Sequence, residues 1–190
     1  MNPASPAAVV MGCSAGGLAA LRVVLGGLQA QLPAAVVVVC HTGSEDIDTL
    51  VGLLARYCAL PVEEAGERRR LVGGTVHVAP SGYHLYVEQD RRFSLSVDPK
   101  VCFVRPSIDV LFESAAQVFE SNLAAVVMTG ANDDGALGLR AVRAHGGLAI
   151  VQDPAEAMAA VMPATALRVA GADHVCSLAG IAPLINQWCA

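Results

Sequence analysis

The chain has 190 residues, of which 54% are hydrophobic and only 15% charged, with a formal net charge of -5. This balance provides no basic surface for a phosphate backbone, so nucleic acid is excluded as a partner. The longest apolar runs fall far short of the roughly 20 residues of a membrane span, and the start of the chain lacks the basic region of a signal peptide. We therefore expect a cytoplasmic protein without direct membrane insertion.

Apolar runs of strand length recur along the chain, separated by amphipathic segments. Several of these runs are apolar on both faces, as parallel strands covered by helices must be. The predicted strands are, in chain order, 7–12, 34–40, 74–80, 123–130, 147–152 and 172–177. The segment 83–98 alternates apolar and polar residues around "EQDRR" and is typical of an antiparallel hairpin.

Two of the intervening segments place apolar residues on one helical face. The first face comprises Leu18, Leu21, Leu25 and Leu28, and the second comprises Ile108, Leu111, Phe112, Ala115 and Phe119. Strand and helix alternation predicts an α/β fold with a doubly wound, mostly parallel sheet, helices on both faces and the hairpin as an insertion. The length favours one domain over residues 1–190.

Six cysteines are scattered through the chain, without a C-x-x-C pair and without a histidine at metal-ligand spacing. We therefore expect neither a metal nor another cofactor. Most of these thiols are best explained as small buried hydrophobes. Cys13 and Cys40 each adjoin a candidate site residue, and a catalytic thiol at either position is the less favoured alternative.

Reactive side chains follow three of the predicted strands directly. Ser14 follows the first strand, His41 the second, and the pair Asp133 and Asp134 follows "AVVMTGAN". Ligand sites of open α/β sheets lie outside the carboxyl ends of the strands, so these groups should meet at one edge. A serine, a histidine and a carboxylate together form a serine-hydrolase triad, whatever their order in the chain.

The chemistry assigns a role to each group. Ser14 is the nucleophile, His41 the base that takes its proton, and Asp134 the carboxylate that orients the imidazole. Residues 12–16 match G-x-S-x-G, which permits a sharp turn from strand to helix. The backbone N–H groups of a following helix suit an oxyanion. The candidates for these donors are Ala15, Gly16, Gly17 and Ala131.

Each element also has an ordinary structural explanation. A glycine-rich turn after a first strand often binds a nucleotide, but this one lacks the G-x-G-x-x-G spacing and a P-loop lysine. Ser14 alone is consistent with a helix cap, His41 with hydrogen-bonded packing and Asp134 with an Asp-Gly turn. Their coincidence at the strand ends favours the catalytic interpretation.

The chain resembles the catalytic domain of the chemotaxis protein-glutamate methylesterases (CheB type). The resemblance lies in seven ordered blocks: "GCSAGGLAAL", "PVEEAGE", "GTVHVAPSGYHL", "RPSIDVLFESAA", "MTGANDDGALGLRAVRAHGG", "VQDPAEAMAAVMPATAL" and the terminal helix. It implies a doubly wound α/β hydrolase that cleaves glutamate γ-methyl esters, and deamidates certain glutamines, on the cytoplasmic region of chemoreceptors. The family nucleophile falls on Ser14, its histidine on His41, and its aspartate on Asp134, because Gly135 follows.

The chain departs from the family pattern beside all three groups. The threonine after the serine is Ala15 here, and the methionine and glycine of T-G-M-G-x-D-G are Ala131 and Asn132. Backbone donors to an oxyanion survive these changes.

The segment after His41, "TGSEDIDT", replaces the usual M-P and aromatic residues and is interpreted as a loop that touches substrate. It places Glu45, Asp46 and Asp48 on the substrate rim, where they would repel an acidic receptor helix. Arg105 offsets part of this charge if it faces the site, and otherwise caps a helix or contacts a loop.

Typical family members carry an amino-terminal receiver domain, whereas this sequence starts at the first catalytic strand. We therefore expect either a free-standing esterase or a domain regulated in trans by a response regulator. Two alternatives stay open: a diverged, non-enzymatic scaffold or ligand-binding module of the same fold, and a serine esterase for small molecules. Labelling of Ser14 by a fluorophosphonate separates the first alternative from an enzyme, and relative rates on p-nitrophenyl esters and methylated receptor separate the second.

Overall fold

The computed structural model describes residues 8–41 and 46–190. The strands are β1 (Ala8–Cys13), β2 (Ala35–Cys40), β3 (Val62–Glu64), β4 (Val76–Val78), β5 (His84–Val87), β6 (Phe93–Ser96), β7 (Leu123–Val127), β8 (Leu148–Gln152) and β9 (His174–Cys176). The α-helices are α1 (Gly17–Gly26), α2 (Ile47–Ala55), α3 (Ile108–Phe119), α4 (Ala136–Ala144), α5 (Val161–Val169) and α6 (Leu178–Trp188), and a 3-10 turn spans Glu120–Asn122.

Seven strands form one parallel sheet in the order β3-β4-β2-β1-β7-β8-β9. The chain extends the sheet from β1 in one direction through β2 and β4, and then returns to the other side of β1 with β7. This reversal places β1 at the topological switch point, where open α/β sheets bind their ligands. The doubly wound fold expected from the sequence is confirmed.

The central strands are buried on both faces, because a layer of helices covers each face of the sheet. Val9, Met11 and Cys13 of β1 pack in one apolar cluster with residues of α1 and α6. Val10, the intervening residue, packs in a second cluster with residues of α3. Alternate residues of one strand thus serve two cores, which explains its continuous apolar sequence.

The antiparallel hairpin is present as β5 and β6, with Leu85 paired to Leu95. Two elements differ from the sequence-based expectation. The segment after His41 was interpreted as a loop, but from Ile47 onward it is helix α2. Strand β3 was not predicted, because three half-buried residues at a sheet edge are too few to produce a recognisable alternation.

None of the helices in the described part of the chain is both long and apolar enough to span a bilayer. The longest of them, α3, has 12 residues.

Candidate active site

The carboxyl ends of β1, β2 and β7 bring the three predicted side chains to one edge of the sheet. The Ser14 backbone N–H donates to the Thr129 carbonyl across 2.9 Å, and the His41 N–H donates to the Cys13 carbonyl across 3.0 Å. Both bonds continue the interstrand pairing by one residue beyond the strand ends. The sheet therefore fixes the backbone positions of Ser14 and His41 relative to each other.

His41 lies beside the second aspartate of the Asp133 and Asp134 pair. Its Nε2 is 3.1 Å from Oδ2 of Asp134, with the His41 side chain 10% exposed and the Asp134 side chain fully buried. The approach is within ion-pair distance, although its alignment falls outside that of a hydrogen bond. Asp133 is exposed and accepts instead from the Thr165 hydroxyl. Asp134, and not its neighbour, is therefore the aspartate that lies beside His41.

The Asp134 carboxylate is held at the start of α3. Its Oδ1 accepts from the Ser107 hydroxyl (2.7 Å) and from the Asp109 N–H (3.1 Å), while Oδ2 accepts from the Ile108 N–H (2.6 Å). Burial alone would raise the pKa of Asp134, but His41 and these three donors outweigh burial and lower it. The carboxylate is therefore ionised at neutral pH, as a group that stabilises an imidazolium must be.

Ser107 and Asp109 belong to this site, although the sequence analysis assigned neither a role in it. Ser107 is the N-cap of α3 and its hydroxyl bonds both Asp134 and the Val110 N–H. The Asp109 side chain accepts from the Gly138 N–H of α4 across 2.6 Å. The motif "RPSID" resembles an ordinary helix start, and only the tertiary contacts reveal that this start donates hydrogen bonds to the Asp134 carboxylate.

Ser14 and His41 line a common cavity of about 520 Å³ above the carboxyl ends of β1 and β2. Among the described residues, the Ser14 hydroxyl makes no hydrogen bond, and Nδ1 of His41 also lacks a partner. The ring nitrogen that faces away from Asp134 is thus unengaged. Catalytic hydrogen bonds of this kind are often long or absent until substrate binds.

The turn after Ser14 offers two unengaged backbone donors. Within the described ranges, the N–H groups of Ala15 and Gly16 have no hydrogen-bond acceptor, and both residues line the cavity. Gly16 has φ of 77°, a conformation that favours glycine, and this allows the sharp turn into α1. The Gly17 N–H donates to the Ser14 carbonyl across 2.7 Å and is therefore engaged. Ala15 and Gly16 are the two expected oxyanion donors on this turn whose N–H groups stay available.

The fourth expected donor, Ala131, follows β7 and is exposed, and its N–H has no acceptor in the described part of the chain. Thr129 links the two turns, because its hydroxyl donates to the Ala15 carbonyl across 2.8 Å and accepts from the Ala159 N–H. This threonine was visible in the sequence only as part of the "MTG" block.

The acidic rim is only partly described. Glu45 lies outside the described residues. Asp46 is the N-cap of α2 and accepts from the N–H and the hydroxyl of Thr49. Asp48 lies in the first turn of that helix, beside a shallow depression that shares Leu53 with the main cavity. The interpretation of this segment as a loop is therefore wrong at Asp48, which lies in α2, whereas Asp46 is the N-cap immediately before that helix.

Arg105 makes the loop contact that was considered for it. Its Nη1 donates to the carbonyls of Val97 (2.7 Å) and Asp98 (2.9 Å). Together with the highly exposed Phe103, it also lines a second cavity of about 200 Å³, which shares Cys40 and His41 with the first. Its charge thus lies near the site, while its hydrogen bonds support the hairpin end.

Arg22 of α1 is a cavity residue that the sequence analysis did not identify. Its guanidinium lies 4.2 Å from the ring centroid of Tyr57, a cation–π contact that holds it at the mouth of the cavity. No local motif distinguishes this arginine from other exposed helix residues.

One group of potential metal ligands occurs among the described residues: the Cys102 thiol and the carboxylates of Asp109 and Asp134, all within 4.8 Å of one another. The oxygens of Asp134 already accept from Ser107 and two backbone N–H groups. Those donors occupy the lone pairs that a cation would need. These hydrogen bonds are therefore those of a carboxylate that is held in one orientation.

Known proteins are similar to this chain over nearly its whole length. The family model described as CheB methylesterase matches residues 9–185. The crystal structure of the Thermotoga maritima CheB methylesterase catalytic domain superimposes with a TM-score of 0.92 at 30% identity, covering 96% of this chain and 98% of that one. The chain belongs to the CheB methylesterase family, and it is an enzyme of the carboxylic ester hydrolase class.

Two relatives illustrate the range of lengths in the family. A putative protein-glutamate methylesterase/protein-glutamine glutaminase of Leptospira interrogans serogroup Icterohaemorrhagiae serovar copenhageni is 44% identical over 177 residues, which cover 93% of this chain and 92% of that protein. Protein-glutamate methylesterase/protein-glutamine glutaminase 1 of Bordetella avium is 38% identical over 181 residues, which cover 95% of this chain but 53% of that protein. The match is therefore to the catalytic region of the longer relatives.

Proposed function

We propose that the protein hydrolyses glutamate γ-methyl esters with Ser14 as nucleophile, His41 as general base and Asp134 as the orienting carboxylate. The observation that carries the proposal is the His41–Asp134 contact of 3.1 Å at the edge of a cavity that Ser14 also lines. The family and the names of its members support the same chemistry.

The reaction follows from these positions. The Ser14 hydroxyl attacks the ester carbonyl while Nδ1 of His41, the ring nitrogen remote from Asp134, takes its proton. The N–H groups of Ala15, Gly16 and Ala131 stabilise the tetrahedral oxyanion. His41 then returns the proton to the departing methoxide, so methanol leaves. Water next attacks the acyl-enzyme with His41 again as the base, and His41 returns the proton to Ser14 as the carboxylic acid is released.

The substrate we propose is the methylated cytoplasmic region of a chemoreceptor, in chemotaxis-type signal transduction in the cytoplasm. The names of the Leptospira and Bordetella relatives include glutaminase activity, and the same site would release ammonia from a glutamine side chain. We further propose that a response regulator, acting in trans, controls access to the cavity.

Methanol release from a methylated receptor fragment tests the proposal. Ser14→Ala should lower the rate by at least about 10⁴-fold. Ser121→Ala, which removes the hydroxyl of an exposed serine in the 3-10 turn, is the matched control and should leave the rate unchanged. A fluorophosphonate should label the parent protein and the control but not Ser14→Ala.

The remaining alternatives give different outcomes in the same experiment. An inert protein that releases no methanol and takes no label would be a scaffold of the same fold. A protein that takes the label and cleaves p-nitrophenyl esters, but leaves the methylated receptor intact, would be an esterase for small molecules. Equal methanol release by Ser14→Ala and the parent protein would refute Ser14 as the nucleophile.

A further inference from the structure

Two cysteines lie directly beneath the proposed triad. Cys13 ends β1 and Cys40 ends β2, and the two residues are partners in the parallel ladder. Both side chains belong to the apolar cluster on the α1 face of the sheet. Neighbouring strands are about 4.8 Å apart, within the roughly 4.4–6.8 Å that separates the Cα atoms of disulfide-bonded cysteines. The backbone spacing therefore permits a bond between the two sulfurs.

Gly17 shows that the two thiols face the same point. A Cβ atom added to Gly17 would lie 2.6 Å from Sγ of Cys13 and 3.3 Å from Sγ of Cys40. Both sulfurs thus border the space left by the missing side chain, under the first turn of α1. A larger residue there would separate the sulfurs, whereas glycine leaves them free to approach each other.

The two thiols differ in access and in acidity. Cys13 is fully buried, whereas Cys40 is 7% exposed and lines both cavities next to His41. Interaction with the Cys13 thiol lowers the pKa of Cys40 despite its burial. Interaction with Cys40, together with burial, raises the pKa of Cys13, whose thiol donates to the Val39 carbonyl across 4.0 Å. Cys40 is therefore the more acidic and the more accessible of the two thiols, so a small oxidant should reach it first, and Cys13 is placed to react second.

The other four cysteines differ from Cys40 in acidity. Burial raises the pKa of all four remaining thiols: Cys58, Cys102, Cys176 and Cys189. Each is a free cysteine.

We propose that Cys13 and Cys40 form an oxidisable dithiol site that takes a hydroperoxide as co-reactant and closes to a disulfide between β1 and β2. The Cys40 thiolate attacks one oxygen of hydrogen peroxide, the O–O bond breaks, and the hydroxide that leaves takes up a proton to form water. The Cys13 thiol then attacks the resulting sulfenic acid, so that the S–S bond forms, the S–O bond breaks and a second water leaves. Two thiols are oxidised by two electrons in total, and one peroxide is reduced.

Closure of the disulfide should inhibit the enzyme, and this consequence rests on the proposed function. The sulfurs must approach to about 2.05 Å, which shifts the residues immediately before Ser14 and His41. The His41 N–H also bonds the Cys13 carbonyl, so any shift of Cys13 reaches the base directly. Displacements of about 1 Å in a catalytic site can cost about 10²-fold in rate.

Peptide mapping after treatment with hydrogen peroxide tests the disulfide without reference to activity. Trypsin separates the two cysteines, because residues 1–22 contain only Cys13 and residues 23–56 contain only Cys40. We expect these peptides to be linked in the oxidised protein and released by dithiothreitol. The link should be absent in Cys13→Ser and Cys40→Ser and retained in Cys58→Ser, the matched control. Failure to form the link under conditions that oxidise Cys40 to its sulfinic or sulfonic acid would overturn the proposal.

Methanol release measured on the same samples tests the inhibition. The parent protein and Cys58→Ser should lose at least about tenfold of their rate on oxidation and recover it with dithiothreitol. Each serine variant is compared with its own reduced form, and Cys40→Ser, which removes the thiol that is oxidised first, should show no inhibition that dithiothreitol reverses. A linked protein with undiminished rate would overturn the inhibitory role. A reduced protein without esterase activity would refute the proposed function and leave the mapping result intact.

Discussion

Around Asp134, both carboxylate oxygens accept hydrogen bonds from the start of α3 and the group is fully buried. Around Ser14, the hydroxyl and the N–H groups of Ala15 and Gly16 have no partners among the described residues and border a cavity. The orienting half of the site is thus complete without substrate, while the reacting half leaves its donors open. An ionised carboxylate must be satisfied in the fold, whereas an oxyanion hole must stay unoccupied until charge develops.

The largest expected effect comes from removing the charge of Asp134, at the centre of the orienting half of the site. Asp134→Asn should lower kcat/KM for methyl-ester hydrolysis by about 10⁴-fold, because an amide cannot stabilise the imidazolium. Asp133→Asn changes the adjacent, exposed carboxylate and should leave the rate within about twofold. Steady-state methanol release checks both variants. Similar losses in the two variants would show that the contact of Asp134 with His41 has no special catalytic role.

Asp109, a second buried aspartate, is less completely hydrogen-bonded than Asp134. Burial raises the pKa of Asp109 to about 6, and the neighbouring Asp134 charge adds to this, against the N–H of Gly138. Because the native state then binds more protons than the unfolded state between about pH 4 and pH 6, the free energy of unfolding should fall as pH rises through that window, by about 3 kcal/mol at most. Asp134, with a lowered pKa, acts in the opposite direction and at lower pH.

Asp109→Asn should remove this fall, because an amide keeps an oxygen for the Gly138 N–H but does not titrate. Urea unfolding across the same pH window measures the effect, with Glu120→Gln, at the exposed end of α3, as the control. If the variant and the control show parallel pH profiles, Asp109 is not the group responsible.

Ser107 joins the cap of α3 to the Asp134 carboxylate. Ser107→Ala removes both hydrogen bonds of this hydroxyl and should lower the free energy of unfolding by about 2 kcal/mol and kcat/KM by about tenfold. Ser177 is the matched control, since it occupies the N-cap of α6 without a side-chain cap bond. Ser177→Ala should change neither quantity measurably, and an equal loss in both variants would contradict the proposed coupling.

The smallest effect is expected at Glu45, Asp46 and Asp48, the acidic residues that follow His41 in the chain. The amide variant Glu45→Gln, Asp46→Asn and Asp48→Asn removes three charges while asparagine preserves the N-cap of α2. Hydrolysis of an acidic receptor fragment should become about two- to fivefold faster at low salt, and the gain should shrink as salt screens the charges. A neutral p-nitrophenyl ester should show no gain. An unchanged rate on the acidic fragment at low salt would show that these residues do not select substrate.

The sequence predicted the sheet and the strand-end positions well because both depend on local patterns. A strand buried on two faces must be apolar throughout, and a polar residue directly after it must lie at the sheet edge. This reasoning did not predict strand β3 or helix α2. In α2 the acidic segment around Asp46 resembled a loop, although its aspartate caps the helix that follows.

What the sequence by itself determined is that Ser14, His41 and Asp134 follow strands of one sheet, and parallel strands end at a common edge. What only the tertiary structure decided is how each group is supported. The start of α3, distant in sequence from Asp134, supplies that carboxylate with three donors. The pairing of β1 with β2 brings Cys13 beside Cys40. These contacts depend on strand order and helix placement, which result from packing of the whole chain and leave no local pattern in the residues they join.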